Sequence, residues 1–121
     1  MLMVGLDVIE LARVQRAVQR WGERFLCRVY TTEELRFCRG RIPELAARFA
    51  AKEAVMKALG TGRRGVGWQE IEVLPNKQGR PLVRLSGGAW DRAQELGVAE
   101  LVVSLTHGRE VALASVVGNA S

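Results

Sequence analysis

The reading of this chain turns on Pro43-Glu44-Leu45-Ala46-Ala47-Arg48-Phe49-Ala50-Ala51-Lys52-Glu53-Ala54-Val55-Met56-Lys57-Ala58-Leu59-Gly60. Proline is accepted in a first helical turn, where its missing N–H has no partner in any case. Gly60 supplies the left-handed terminator. The residues between them are strong helix formers, and the pattern predicts the longest helix of the chain over Glu44–Leu59. On that helix Ala46, Ala50, Glu53 and Lys57 fall within about 60° of one another. The stripe is small at one end and charged at the other. Glu53 and Lys57 are either a plain i,i+4 pair worth a few tenths of a kcal/mol or part of a site.

Upstream, Thr31-Thr32-Glu33-Glu34 is a capping box, with Thr31 as N-cap and Glu34 three positions on. It predicts a short helix through Leu35 and Cys38 that stops near Gly40. A helix is expected from about Glu10 to Trp21, with Gly22 near its end. Leu11, Val14, Val18 and Trp21 share one side of it. Arg13, Arg16, Arg20 and, if the helix continues, Arg24 share nearly the opposite side. No acid separates Arg13 from Arg20, so the stripe is either a solvated face or a dock for an acidic partner. Met1–Leu6 reads as a short buried strand ending at Asp7.

Downstream, residues 60–67 form a glycine-rich basic loop. Trp68–Leu74 alternates as a strand, and Pro75-Asn76-Lys77-Gln78-Gly79 turns it into a second strand, Leu82–Leu85. A short helix over Ala89–Leu96 follows, then strands Leu101–Thr106 and Val111–Val117 around a His107-Gly108-Arg109-Glu110 turn. Helices first and strands later make the chain α+β, with helices packed on a mainly antiparallel sheet. The 121 residues are enough for one core and no more, so residues 1–121 are expected to be a single domain.

Composition narrows the function. Apolar residues make up 48% and charged residues 26%, which excludes disorder and a disulfide scaffold. The net charge is +5, and it lies wholly before Trp68, which points to an acidic or polyanionic partner for that part. Cys27 and Cys38 have neither zinc spacing nor a histidine nearby. The amino terminus reaches Asp7 too soon for a signal peptide or membrane span, so a cytoplasmic protein with reduced thiols is expected.

The residues that could carry chemistry are few. Asp7 closes an apolar strand, where an unpaired charge is costly. It either caps the next helix or joins Glu53 to give two hard oxygen ligands, a set that suits magnesium. Lys57 would then neutralise a phosphate oxygen of the same substrate. Gly60, Gly62 and Gly65 let backbone N–H groups approach an anion, and Thr61, Arg63 and Arg64 add donors, although a glycine turn after a helix is also an ordinary cap. His107, the only histidine, stands at a strand end on the Val103 and Leu105 side. A rival class, a small RNA-binding module, needs aromatics interleaved with the arginines, and only Trp21 and Phe25 lie near them.

Three segments give the chain a family resemblance. They are Gly5-Leu6-Asp7-Val8-Ile9-Glu10, then Arg48-Phe49-Ala50-Ala51-Lys52-Glu53-Ala54-Val55-Met56-Lys57-Ala58-Leu59-Gly60-Thr61-Gly62, and Ser104-Leu105-Thr106-His107. The chain resembles the holo-acyl-carrier-protein synthases, the small class of 4′-phosphopantetheinyl transferase. The middle segment is the specific one, and the three in order span nearly the whole chain.

The resemblance implies transfer of the phosphopantetheine arm of coenzyme A to a serine of an apo-acyl carrier protein, in fatty acid biosynthesis. It implies magnesium held by Asp7 and Glu53, and Lys57 at the phosphates. Arg48, Lys57, Gly60, Thr61, Gly62 and His107 fall where the family holds coenzyme A. Glu53 and Lys57 are the expected catalytic residues. Glu53 through a water on the metal is the first candidate base, with Glu33 or Glu34 as alternatives. Arg13, Arg20 and Arg24 are expected to meet the acidic carrier, with no nucleic acid or membrane as partner. The family also implies a homotrimer with active sites between subunits. Thr106 stands where many members have Ser, and Arg63-Arg64 makes the loop more basic than usual.

Overall fold

The computed structural model describes residues 1–62 and 64–120. The loop donor expected at Arg63 lies outside the described residues. In chain order the elements are β1 (Leu2–Glu10), α1 (Leu11–Trp21), α2 (Glu23–Val29), α3 (Thr32–Cys38), α4 (Ile42–Leu59), β2 (Ile71–Pro75), β3 (Pro81–Leu85), α5 (Gly87–Leu96), β4 (Val98–His107) and β5 (Val111–Ala120). A 3₁₀ turn, Trp68–Glu70, leads into β2. The architecture is the expected α+β, and every strand pairing among the described residues is antiparallel.

β5 is the central strand of a three-stranded sheet in the order β1-β5-β4, and β2 and β3 form a separate hairpin. α4 is the axis of the core. Leu45, Ala46, Ala47, Ala50, Ala51, Ala54, Val55, Met56 and Leu59 on it are all buried, as expected of a helix packed on nearly every side. Its alanines let neighbours come close. At Gly5 in β1 the approach is tightest, because a Cβ there would overlap the Ala54 carbonyl oxygen and lie 3.2 Å from the Ala58 nitrogen. Gly5 is therefore the residue that seats β1 on α4.

Four expectations need correction. β1 does not end at Asp7: it runs to Glu10, with Asp7 paired to Ala114 in the ladder. Nor is it buried on both sides. Gly5 and Ile9 face the core, while Leu2, Val4, Leu6 and Val8 are 71%, 66%, 53% and 52% exposed, the alternation of a half-buried strand. Arg24 is not on an extension of α1, since Gly22, at φ 53°, ends that helix and opens α2. Trp68–Glu70 winds as a 3₁₀ turn rather than a strand, because the Glu70 side chain reaches back to accept from the Gly67 N–H at 2.9 Å. The Thr31 box, in contrast, is complete in both directions at 3.1 Å and 2.9 Å.

Candidate active site

The first cluster forms where β1 crosses α4. The Lys57 ammonium donates to the Asp7 carboxylate at 3.0 Å and to the Leu6 carbonyl at 3.0 Å. Asp7 does not cap the next helix: α1 has no side-chain cap, and Glu10 occupies its N-cap position. Glu53 stands one turn before Lys57, about 40° away around the helix, and so on the same side. It is half-buried, and its side chain forms no hydrogen bond or ion pair with the described residues, which leaves its carboxylate free to accept. Asp7 and Lys57 thus meet at one accessible seam, and helical spacing sets the Glu53 carboxylate on the same side of α4.

Two carboxylates suit magnesium, which takes one or two from protein and completes its shell with water and substrate phosphates. Among the described residues no group of three or more His, Cys, Asp or Glu could hold a metal alone. That donor set fits an ion shared with an anionic substrate.

The loop beyond α4 begins at Gly60 with φ 72°, followed by Gly62 at 54° and Gly65 at 67°. Thr61 is already employed. Its N–H closes the helix on Met56 O at 3.2 Å and its hydroxyl donates to Gly62 O at 2.9 Å. The N–H of Arg64 turns back to Thr61 O at 3.1 Å.

Arg48 and His107 form a second cluster elsewhere. Arg48 is 3% exposed; its Nε donates to Val73 O at 3.0 Å and its guanidinium stands 4.4 Å over the Phe37 ring. Glu44 bridges the pair, 3.6 Å from Arg48 and 3.4 Å from His107 Nε2. These side chains border a cleft of about 680 Å³ that is also lined by Arg80, Ser104 and Thr106. Arg48 and Lys57 are nine positions apart, which puts them about 180° apart around α4. One chain therefore presents the two clusters on opposite sides of the same helix.

Arg13, Arg16 and Arg20 line the outer face of α1, with Arg24 and Arg28 on α2; all five are exposed and none has an ion-pair partner among the described residues. Arg20 stacks 5.0 Å over Trp21. A groove of about 670 Å³ lined by Trp21, Arg24, Phe25 and Arg28 continues this basic surface.

The structure also removes one candidate base. Glu34 is fully buried and its two oxygens accept from Lys52 Nζ at 2.7 Å, Thr31 N at 2.9 Å and Val73 N at 2.8 Å. A carboxylate so committed is not available to take a proton from a substrate. Glu33 is exposed and paired with Arg36 at 2.7 Å. Lys52, which sequence reasoning passed over, is also fully buried and donates to Trp68 O and Ile71 O as well as Glu34. Burial lowers its pKa, opposed by the Glu34 charge. A lysine directly after the Ala50-Ala51 pair, amid the buried residues of the core helix, was the available signal for it.

Comparison with known proteins gives the family of the chain. Residues 3–114 match the model of the 4′-phosphopantetheinyl transferase superfamily. The chain belongs to that superfamily. Within it, the holo-[acyl-carrier-protein] synthase of Herpetosiphon aurantiacus is 50% identical over 125 residues, covering 98% of each chain. That of Dehalococcoides mccartyi strain CBDB1 is 50% identical over 117 residues, covering 97% of this chain and 98% of the relative. Among solved structures, the Neisseria meningitidis holo-[acyl-carrier-protein] synthase superposes with a TM-score of 0.89 at 33% identity, covering 97% of both chains. The Helicobacter pylori synthase, solved in complex with coenzyme A, gives 0.89 at 29% identity over 97% of this chain and all of the other. The chain is a transferase of the holo-[acyl-carrier-protein] synthase branch of this superfamily.

Proposed function

We propose that the chain transfers the 4′-phosphopantetheine arm of coenzyme A to a serine hydroxyl of an apo-acyl carrier protein, with adenosine 3′,5′-bisphosphate as the leaving group. The observation that supports this reading is the Asp7–Lys57 contact between β1 and α4, with Glu53 one helical turn before Lys57 on the same side of α4.

Asp7 and Glu53 would hold magnesium, which when bound supplies Lewis-acid stabilisation of charge on the pyrophosphate. Lys57 places a second positive charge beside the same phosphates, and its bond to Leu6 O fixes where that charge sits. Arg48 and His107 are assigned to the anionic nucleotide end of coenzyme A, where the buried, ring-stacked guanidinium is already oriented. Gly60, Thr61 and Gly62 border the phosphates; Thr61 acts there by shaping the loop, since its donors are used internally. The serine proton passes to a base that Glu53 is placed to provide. Arg13, Arg20 and Arg24 steer and dock the acidic carrier.

Two further observations support a homotrimer with its sites between subunits. The apolar row Leu2, Val4, Leu6 and Val8 is exposed on one chain, and Arg48 and Lys57 face opposite ways. A neighbouring copy would cover the first and bring the two clusters into one site. No described helix is long and apolar enough to cross a membrane, and the proposed reaction places the enzyme in the cytoplasm, in fatty acid biosynthesis.

The test is turnover with magnesium and an apo carrier. Asp7→Asn and Glu53→Gln are each expected to lose about a hundredfold or more while the urea midpoint stays near wild type. A folded double variant that still works within a few-fold of wild type contradicts the assignment.

A further inference from the structure

The loop after α4 is fixed at both ends by residues outside the three segments that carry the family resemblance. At its start, Arg92 of α5 donates from Nε to the carbonyl of Leu59 at 3.0 Å, satisfying one of the last carbonyls of α4. At its end, the Glu70 carboxylate accepts from Gly67 N at 2.9 Å and, with the same oxygen, from Ala89 N in the first turn of α5 at 3.3 Å. Between these anchors the Gly65 carbonyl rests directly on Gly88. A Cβ on Gly88 would overlap that oxygen and sit 3.1 Å from its carbon. Gly87, at φ 54°, is tied to the same device, because a Cβ there would meet the Glu70 carboxylate carbon at 2.8 Å. α5 and the Trp68–Glu70 turn together therefore hold the loop at three points: the Arg92 guanidinium and the Gly88 seat from α5, and the Glu70 carboxylate from the turn.

We propose that Glu70 and Arg92 are positioning residues that hold the described parts of the loop, Gly60–Gly62 and Arg64–Gly67, in their ligand-ready conformation, so that they set the affinity for coenzyme A rather than the rate of transfer. The inference rests on the functional reading above for the identity of the ligand. Its physical basis is the cost of ordering. Glycines such as Gly60, Gly62 and Gly65 lose more conformational freedom than other residues when fixed. A loop carrying three of them would meet that cost at the moment of binding unless it is prepaid by the fold. The charge on Glu70 suits its place at the N-terminus of α5, where the helix dipole favours an anion. The Gly67 N–H draws the Glu70 pKa below its ordinary value, helped by the N–H groups of Gly88 and Ala89.

The experiment compares wild type with Glu70→Ala, Glu70→Gln, Arg92→Met and Gly88→Ala. Coenzyme A binding is followed by calorimetry, KM and kcat are measured on an apo carrier, and hydrogen exchange is read at the Gly67 amide. Loss of a charge-assisted bond predicts about a tenfold rise in KM and Kd for coenzyme A in Glu70→Ala, with kcat within about twofold. Glu70→Gln, which keeps an acceptor oxygen, is expected to be milder. Gly88→Ala replaces neither charged group, although its Cβ would also stand 3.3 Å from Glu70 Oε1, and it is expected to reproduce the rise mainly by pushing on the Gly65 carbonyl. The Gly67 amide should exchange at least about tenfold faster in Glu70→Ala. Unchanged coenzyme A affinity in folded Glu70→Ala and Gly88→Ala overturns the proposal, and so does unchanged Gly67 exchange in Glu70→Ala. An inactive wild type would sink the functional reading instead, and Kd and exchange would still judge the clamp.

Discussion

Substitution of Gly5 by alanine tests the link between packing and the site most sharply. The added methyl would lie 2.8 Å from the carbonyl carbon of Ala54 and overlap its oxygen. Comfortable carbon–carbon contact begins near 3.5 Å, so β1 must retreat from α4 by about 1 Å. Asp7 is two residues further along the same strand, and its 3.0 Å bond to Lys57 would stretch beyond hydrogen-bonding range. Overpacking of this kind costs about 1–3 kcal/mol. Against a typical total of about 5–15 kcal/mol, that leaves nearly all molecules folded. The misplaced carboxylate costs far more, about a hundredfold in turnover for a shift of about 1 Å at a reacting centre. The assay is carrier turnover at saturating coenzyme A and magnesium, alongside a urea titration. A Gly5→Ala protein that folds and turns over at the wild-type rate would show that the β1–α4 contact does not set the site.

The Lys52–Glu34 pair predicts a steep asymmetry. Lys52→Met strands a buried carboxylate and orphans two carbonyls, for a loss of about 3–5 kcal/mol, whereas the Lys52→Met/Glu34→Gln double variant recovers a substantial part of it in urea titrations; equal losses in both would contradict the pairing. The Cys38 thiol is fully buried and pushed up to about 11, mainly by that burial, whereas Cys27 is exposed with its thiol raised by its hydrogen bond to Glu23. Native protein should therefore take up one iodoacetamide, slowly, and a second only on unfolding, as counted by mass spectrometry. The depressed pKa of Glu70 means that the unfolded chain binds its proton more readily. Its stabilising effect is complete above the ordinary value of 4.5 and fades as pH falls through the lower folded value. The difference in urea midpoint between wild type and Glu70→Gln should accordingly shrink below pH ~4.5, and a gap that stays constant down to pH 3 would refute it.

Much of this was legible in the residues. The 3.6-residue rhythm and its terminators gave α4 nearly to the residue, because Pro43 and Gly60 each do what only they do well. The Thr31 box was equally local and equally sound. Where reading failed, the deciding contact lay far away in sequence. Asp7 sits within a strand rather than at its end because β5 supplies a partner over a hundred residues later. Gly22 both ends one helix and opens the next, which composition does not distinguish from a simple stop. Trp68–Glu70 alternates like a strand but coils to serve the Glu70 carboxylate. For the site, the contact of Lys57 with Asp7 was the part that helical spacing and a carboxylate in the strand made legible. The separation of Arg48 from Lys57 was implicit in their nine-residue spacing, which places them on opposite faces. The Glu44 bridge followed the i,i+4 rule to Arg48, but its reach to His107 depends on how β4 lies against α4. Glu70 reads only as the polar side of an alternating stretch and Arg92 not at all, since the partners that define their roles are backbone groups.

The most direct measurement is intact-mass spectrometry of an apo-acyl carrier protein incubated with this chain, coenzyme A and magnesium. The account predicts that the carrier gains the mass of one phosphopantetheine arm, that chelator abolishes the gain, and that a carrier lacking its acceptor serine shows none. A folded protein that leaves several apo carriers unmodified under these conditions would contradict it.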